Sequence, residues 1–203
     1  MSESYEELSR ILAEEFNKTE NIIRQSEHSG AEPPIPAINE LRYAGYHHIE
    51  ANKFRINGKH PDAIEEMRKA VRHVRRARFD ANEFYLTICA EHIAAYRKSF
   101  NGYEYLAAQI IPNFHKHMTA MREAGALIEQ TSSWDKESPE YIKKSESILK
   151  KMRAFERDFA IAETALFDAI SEKERGQKIA WKQCGISIIL GALLSTVLSM
   201  LFT

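Results

Sequence analysis

The chain has 203 residues and a formal net charge of −1, with 28 Lys and Arg against 29 Asp and Glu. This balance does not favour a nucleic acid or an acidic partner for the chain as a whole. The two cysteines, Cys89 and Cys184, provide no disulfide framework and fit a reducing compartment, and the acidic N-terminus lacks the apolar core of a secretory signal.

Long helical patterns separated by Gly- and Pro-containing loops predict an all-α fold, a helical bundle. No strand-like alternation and no internal repeat is visible in this reading. The expected helices cover about residues 4–26, 37–55, 61–100, 103–130 and 139–201, and Pro112 is placed to kink the fourth.

The third expected helix carries an apolar stripe spaced by threes and fours, typical of a bundle seam. Its members are Ile64, Met67, Val71, Val74, Ala81, Tyr85, Ile88 and Ala95. Arg78 and His92 fall on the same stripe, and a charge on a buried seam needs a partner. Because Asp80 and Glu91 cannot face the seam from the same helix, we expect that partner on another helix or subunit, unless the seam opens there.

The last twenty residues, 184–203, carry no charge and as a helix would measure about 30 Å, the thickness of a hydrocarbon core. Lys178, Trp181 and Lys182 precede them, and such residues mark a cytoplasmic membrane interface. The sequence thus predicts a bundle over residues 1–138, a stalk helix over 139–183 and one transmembrane helix over 184–203. The alternative for the tail is a buried helix of a soluble protein.

Small residues recur at every fourth position of this tail, which lets helix backbones approach closely in a bilayer. The tail therefore also predicts a self-association surface, or the lining of a pore in a homo-oligomer. The residues concerned are Ser187, Gly191, Ser195, Ser199 and Thr203.

Candidate chemistry is sparse. A metal site on a helix would need two histidines four residues apart and a carboxylate or cysteine as a further ligand. The sequence has no such set, so we expect neither a metal site nor a cofactor. Two segments instead share an arginine, four residues and a histidine: Arg42 with His47, and Arg68 with His73. The arginine of such a pair can hold a phosphate while the histidine moves a proton in cleavage by a ribose 2′-OH.

The surroundings of the second pair leave two interpretations open. In the register of the apolar stripe, His73 points to solvent. The basic run around it could bind RNA electrostatically, or it could be a solvated face or meet an acidic helix. Its cationic candidates are Arg68, Lys69, Arg72, Arg75 and Arg76.

The stretch "AINELRYAGYHHIEANKF…DAIEEMRKAVRHVRRARFDANEF" resembles HEPN domains, helical bundles whose nucleolytic members carry an Arg–x4–6–His motif at a dimer-composed site. The resemblance covers about residues 37–130. Arg68 and His73 match the motif better than Arg42 and His47, because the polar Lys69 follows the arginine, whereas Tyr43 follows Arg42.

With one terminal span added, the chain resembles the family of small HEPN-like membrane accessory proteins encoded beside the RNA-guided RNA nuclease of type VI-B CRISPR systems. The resemblance implies a homo-oligomer of the bacterial inner membrane that strengthens antiphage defence by perforating or perturbing the bilayer. It implies the bilayer and further copies of the chain as partners, and the RNA-guided nuclease or RNA as others. The alternatives are a membrane-tethered HEPN-type ribonuclease or RNA-binding protein, and a passive membrane-anchored scaffold.

Overall fold

The computed structural model describes the backbone of residues 3–28 and 30–201, and the side chains of residues 3–28 and 30–178. These residues form helices, one short 3₁₀ turn and loops, without a strand, which confirms the predicted all-α fold. The helices are α1 (Tyr5–His28), α2 (Ile35–Ile56), α3 (His60–Ser99), α4 (Glu104–Ile110), α5 (Phe114–Glu129) and α6 (Pro139–Leu201).

The one difference in helix number lies in the fourth predicted helix, which is two helices, α4 and α5. Pro112 has no amide hydrogen to continue the helical ladder. Asn113 follows it with a φ of 56°, in the left-handed region that ends a helix. The proline therefore breaks this helix rather than kinking it.

Residues 1–96 and 115–156 form one compact unit. In it α1 and α2 run antiparallel: Tyr5 Oη donates to Asn52 Oδ1 at 2.9 Å, and farther along Phe16 and Gly45 line one groove.

Within the same unit α3 and α6 run in the same direction, because Phe79 stacks on Tyr141 with ring centroids 4.0 Å apart and Tyr96 contacts Phe155 farther along both helices. The start of α6 thus completes the core of this unit. Its Met152 is fully buried.

The predicted seam of α3 is buried over most of its length. Met67, Val71, Val74, Ala81 and Tyr85 are buried, Ile64 and Ile88 are half-buried, and Ala95 is exposed. Cys89, on the same helix, is buried and free. The seam pattern therefore identified the core-facing side of α3, except at its C-terminal end.

Arg78 has its partners on two other helices, as the seam argument requires. Its Nη1 donates to Glu15 of α1 at 2.5 Å, and its Nε donates to Glu146 of α6 at 2.9 Å. His92 lies beside α6 as well, with Nδ1 3.3 Å from Glu156 Oε1. The prediction of a partner from another helix is confirmed for both residues.

Residues 97–114 and 157–203 form a second compact unit, built on α4 and the later part of α6. Phe100 is its buried centre, 6.1 Å from Phe114 and 6.2 Å from Phe159 between ring centroids. The predicted boundary between bundle and stalk at residue 139 does not coincide with these units. Residues 139–156 of α6 lie in the first unit because they carry its buried apolar side chains.

The backbone of α6 is helical without interruption from Pro139 to Leu201. In the part of the chain that is described, no helix combines the length and the apolar character that a membrane crossing requires. The predicted span at residues 184–203, with its small-residue stripe, lies outside the residues whose side chains are described, as do Trp181 and Lys182. Lys178 is exposed.

Candidate functional site

Helices α2 and α3 carry the same motif. Residues 37–51 and 63–77, offset by 26, are identical at seven of fifteen positions. The expectation of no internal repeat is therefore wrong. The repeat escapes notice because it covers only about four helical turns and differs in charge at five of the other eight positions. The identical pairs are Ala37/Ala63, Ile38/Ile64, Glu40/Glu66, Arg42/Arg68, Ala44/Ala70, His47/His73 and Ala51/Ala77.

The alanines of the repeat are buried on the side of each helix that carries its glutamate and histidine. Seven residues correspond to about 700°, so residues at this spacing share one helix face. All six alanines of the repeat are at most 1% exposed. The chain reverses between the helices at Asn57–Lys59, where Gly58 has a φ of 69° that favours glycine. Small side chains on both helices let the antiparallel backbones approach closely.

Glutamate and histidine of the repeat are also seven residues apart, so each helix presents both on one face. In the antiparallel arrangement each glutamate faces the histidine of the other helix. His47 Nδ1 is 2.6 Å from Glu66 Oε2, and His73 Nδ1 is 2.7 Å from Glu40 Oε2. We call these two histidines, together with the two glutamates that orient them, the histidine pair.

A carboxylate only accepts hydrogen bonds, so the Nδ1 atom of each imidazole in the histidine pair carries the proton. Nε2 is then the unprotonated nitrogen of each neutral ring. The two rings stack, with centroids 5.1 Å apart and planes inclined by 11°. The side chains of His47 and His73 are 19% and 21% exposed.

This placement corrects the expectation that His73 points to solvent. That register considered one packed face of α3, whereas α3 packs with a second face against α2. His73 lies on the second face, half-buried and bonded to Glu40.

Lys69 extends the histidine pair on one side. Its Nζ donates to Glu66 Oε1 at 2.6 Å. Burial by itself would raise the pKa of Glu66, but the hydrogen bonds from Lys69 and His47 outweigh it, and the pKa is lowered. The hydrogen bond with Glu66 in turn raises the pKa of Lys69. Both groups are therefore charged at neutral pH, and Glu66 serves two donors at once.

Aromatic and basic side chains of α2 border the histidine pair. The Tyr43 ring lies 5.5 Å from His73, and the Tyr46 ring lies 5.3 Å from His47. The Arg42 guanidinium sits 5.2 Å from the Tyr43 ring centre. Together Arg42, Tyr43, Tyr46 and His47 line an open pocket of about 440 Å³. An arginine and a histidine on one pocket can hold a phosphate next to a proton carrier.

The predicted basic face of α3 is largely paired with carboxylates. Arg68 lies 3.7 Å from Glu3 and 3.6 Å from Glu65, and Arg72 lies 3.8 Å from Glu65. Lys69 is bonded to Glu66 and Arg76 to Glu137 in the same way, and Arg75 is half-buried. These pairs reduce the positive charge available to a polyanion. In the first arginine–histidine motif both side chains line the pocket, whereas in the second Arg68 is held by carboxylates.

Both histidines and Arg42 were predicted from the sequence as site residues, whereas Glu40, Glu66, Tyr43 and Tyr46 were not. A recurring Glu–x6–His spacing was the available signal for the glutamates. Among the described residues, no three His, Cys, Asp or Glu side chains are grouped so as to hold a metal ion. Two imidazoles, each oriented by a carboxylate, are instead an arrangement suited to moving protons.

Comparison with known proteins gave no significant match for this chain, whether with family models, curated proteins or solved structures.

Proposed function

We propose that this chain is a membrane-tethered, HEPN-like RNA-cleaving protein that uses the histidine pair as its acid–base group. One observation carries the proposal: the histidines of the two Arg–x4–His motifs stack 5.1 Å apart, each oriented by a carboxylate from the opposite helix. In the family that the sequence resembles, the Arg–x4–6–His site is composed from two subunits. Here two such motifs meet within one chain, which supports the same class of chemistry.

The chemistry requires one neutral and one protonated imidazole. Arg42 holds the phosphate, and Nε2 of the neutral histidine accepts the proton of the ribose 2′-OH while that oxygen attacks phosphorus. Nε2–H of the other histidine gives its proton to the 5′-oxygen as the P–O5′ bond breaks. The products are a 2′,3′-cyclic phosphate and a free 5′-OH. The first histidine has taken one proton from the substrate, and the second histidine has given one proton to it.

The test uses the full-length protein in detergent with single-stranded RNA and excess chelator. We expect cleavage that leaves 2′,3′-cyclic phosphate ends, and a rate at least about 100-fold lower in His47→Gln and in His73→Gln, because an acid–base group contributes about 10²–10⁴-fold. His60→Gln, at the exposed start of α3, is the matched control and should cleave normally. Failure of the wild-type protein to cleave, or undiminished cleavage by both variants, would reject the proposal.

A second function is favoured by α6, whose backbone is helical without a break to Leu201. A continuous helix that runs into an uncharged stretch, residues 184–203, is suited to anchoring a protein in a bilayer. On this proposal the chain is a CRISPR-associated antiphage protein of the bacterial inner membrane. It assembles through the small-residue stripe of residues 187–203 and forms a pore or perturbs the membrane.

The second function is tested in cells during phage challenge by measuring membrane potential and the size of the detergent-solubilised protein. Gly191→Leu and Ser195→Leu should abolish depolarisation and reduce the oligomer, because leucine keeps the helices apart. Ile189→Leu, which conserves volume away from the stripe, should change neither. An unchanged oligomer and unchanged depolarisation in both stripe variants would refute the pore.

A further inference from the structure

Helices α1 and α2 leave an open groove between them that is separate from the histidine pair. The groove encloses about 460 Å³, and it shares no lining residue with the pocket of Arg42, Tyr43, Tyr46 and His47. A volume of this size suits a small organic molecule. A molecule bound in the groove would leave that pocket open, and its binding does not depend on the proposed function.

Both helices contribute apolar side chains to the groove. The buried ones are Leu12 of α1 and Ala44 of α2, which are 6% and 1% exposed. The exposed ones are Phe16 of α1 and Ile49 of α2, which are 37% and 58% exposed. An apolar body in the groove would remove these surfaces from water, and the ring of Phe16 favours a second aromatic ring packed against it.

The internal repeat shows how the groove arises. Val71 and Val74 of α3 are buried in the core cluster that contains Leu12 of α1. At the equivalent positions, 26 residues earlier, α2 carries Gly45 and His48, and both line the groove. A Cβ added to Gly45 would meet nothing within 4 Å. Relative to α3, therefore, α2 has lost an apolar side chain and gained a hydrogen-bonding ring at the same place.

The polar side chains of the groove indicate a neutral ligand. They belong to Ser9, Asn17 and His48, and none of the lining residues is Asp, Glu, Lys or Arg. An ionised ligand would lose water there without gaining a counter-charge. Hydroxyl, amide and imidazole groups instead exchange hydrogen bonds with a neutral polar group. Ser9 and Asn17 lie about 12 Å apart along α1, which is long enough for two linked rings.

We propose that this groove binds a neutral aromatic small molecule that carries one hydrogen-bonding group, a phenol being the simplest case. The aromatic body lies over Leu12 and Ala44, packed against Phe16, in the space left by Gly45. Its hydroxyl exchanges a hydrogen bond with the ring of His48.

The test photolabels the full-length protein in lipid vesicles at neutral pH with 3-hydroxybenzophenone, a two-ring phenol that crosslinks to neighbouring C–H groups when irradiated. We expect saturable labelling that peptide mass spectrometry maps to residues 9–17 and 44–49. An excess of unreactive 3-phenylphenol should suppress it. The carboxylate 3-phenylbenzoate should compete at least about 10-fold less well, because its charge finds no partner in the groove.

Two variants close the groove in different ways. Gly45→Leu fills the hollow, and Ala13→Phe covers it from an exposed position on α1, so each should lower the labelling at least about 10-fold. Gly125→Leu on α5, where an added Cβ also meets nothing within 4 Å, is the matched control and should leave the labelling unchanged. His48→Leu should remove the advantage of 3-phenylphenol over biphenyl as a competitor, because the hydrogen-bonding ring is gone.

Circular dichroism confirms that each variant is folded before it is labelled. Labelling that maps elsewhere, or that persists in both Gly45→Leu and Ala13→Phe, overturns the proposal. Equal competition by the carboxylate and the phenol overturns it too, because the ligand class would then be wrong. A groove that is filled by lipid gives no saturable labelling in vesicles, and this result would also reject the proposal.

Discussion

Arg78 links three helices of the first unit through its charge. Its guanidinium, with the side chain 10% exposed, joins Glu15 of α1 and Glu146 of α6 to α3. Burial by itself would raise the pKa of Glu15, but the hydrogen bond and charge of Arg78 prevail and lower it. The same two carboxylates raise the pKa of Arg78 against the opposing effect of burial. One cation thus holds three helices together.

Arg78→Met should lower the free energy of unfolding by about 1–3 kcal/mol at neutral pH, because it leaves the half-buried Glu15 with only the more exposed Lys18 as a partner. Urea unfolding measures the loss. Arg10→Met, which removes an exposed pair with Glu14 on the same α1, should cost at most about 1 kcal/mol. Equal losses in the two variants would contradict the structural role of Arg78.

The pH dependence of this stabilisation follows from the lowered pKa of Glu15. A carboxyl with a lowered folded-state pKa binds its proton less readily when folded, so its contribution is present above the ordinary value of 4.5 and is lost as the pH falls through the folded pKa. The wild-type chain should therefore lose more stability than Arg78→Met between pH 7 and acid pH.

At the scale of helices, we expect the buried alanines of the repeat to decide how closely α2 and α3 approach and hence whether the histidine pair can form. Ala44 and Ala70 are 1% and 0% exposed. Larger side chains there would separate the backbones and carry His47 away from Glu66. The short His–Glu distances therefore depend on residues that contribute no chemistry.

Ala70→Leu should destabilise the protein by about 1–3 kcal/mol through overpacking and should separate the two histidine rings. Histidine NMR shifts and urea unfolding measure the two effects. Ala95→Leu, on the exposed part of α3, is the matched control and should leave both unchanged. An Ala70→Leu protein with unaltered histidine signals would show that the pair does not need close helix contact.

Most helix positions and the core-facing side of α3 could be predicted from the sequence because they depend on local periodicity and on breakers such as Gly58, although Pro112 ends a helix where only a kink was expected. The histidine pair could not be predicted in the same way. Its geometry depends on which helix packs against the second face of α3. For that reason we expected His73 to point to solvent. The seven-residue spacing of Glu40 and His47 nevertheless indicated that these two residues share one face of α2.

At the scale of the whole chain, the two compact units are each built from separated stretches of sequence. The boundary between them falls inside α3 and inside α6, near residues 97 and 157. A boundary within a continuous helix is not marked in the sequence by a loop or by a change of composition. The sequence therefore predicted a division at residue 139, where a helix begins, although the packing boundary lies farther along that helix.

The tight turn at Asn57–Lys59 also has a consequence for the order of folding. The two His–Glu contacts join residues only 19 and 33 positions apart, whereas the contact of Arg153 with Gln25 joins residues 128 apart. Closing a shorter loop costs less chain entropy, so the α2–α3 hairpin should form ahead of the contacts made by α6. During synthesis from the N-terminus, the residues of the histidine pair can then meet before the last helix has been made.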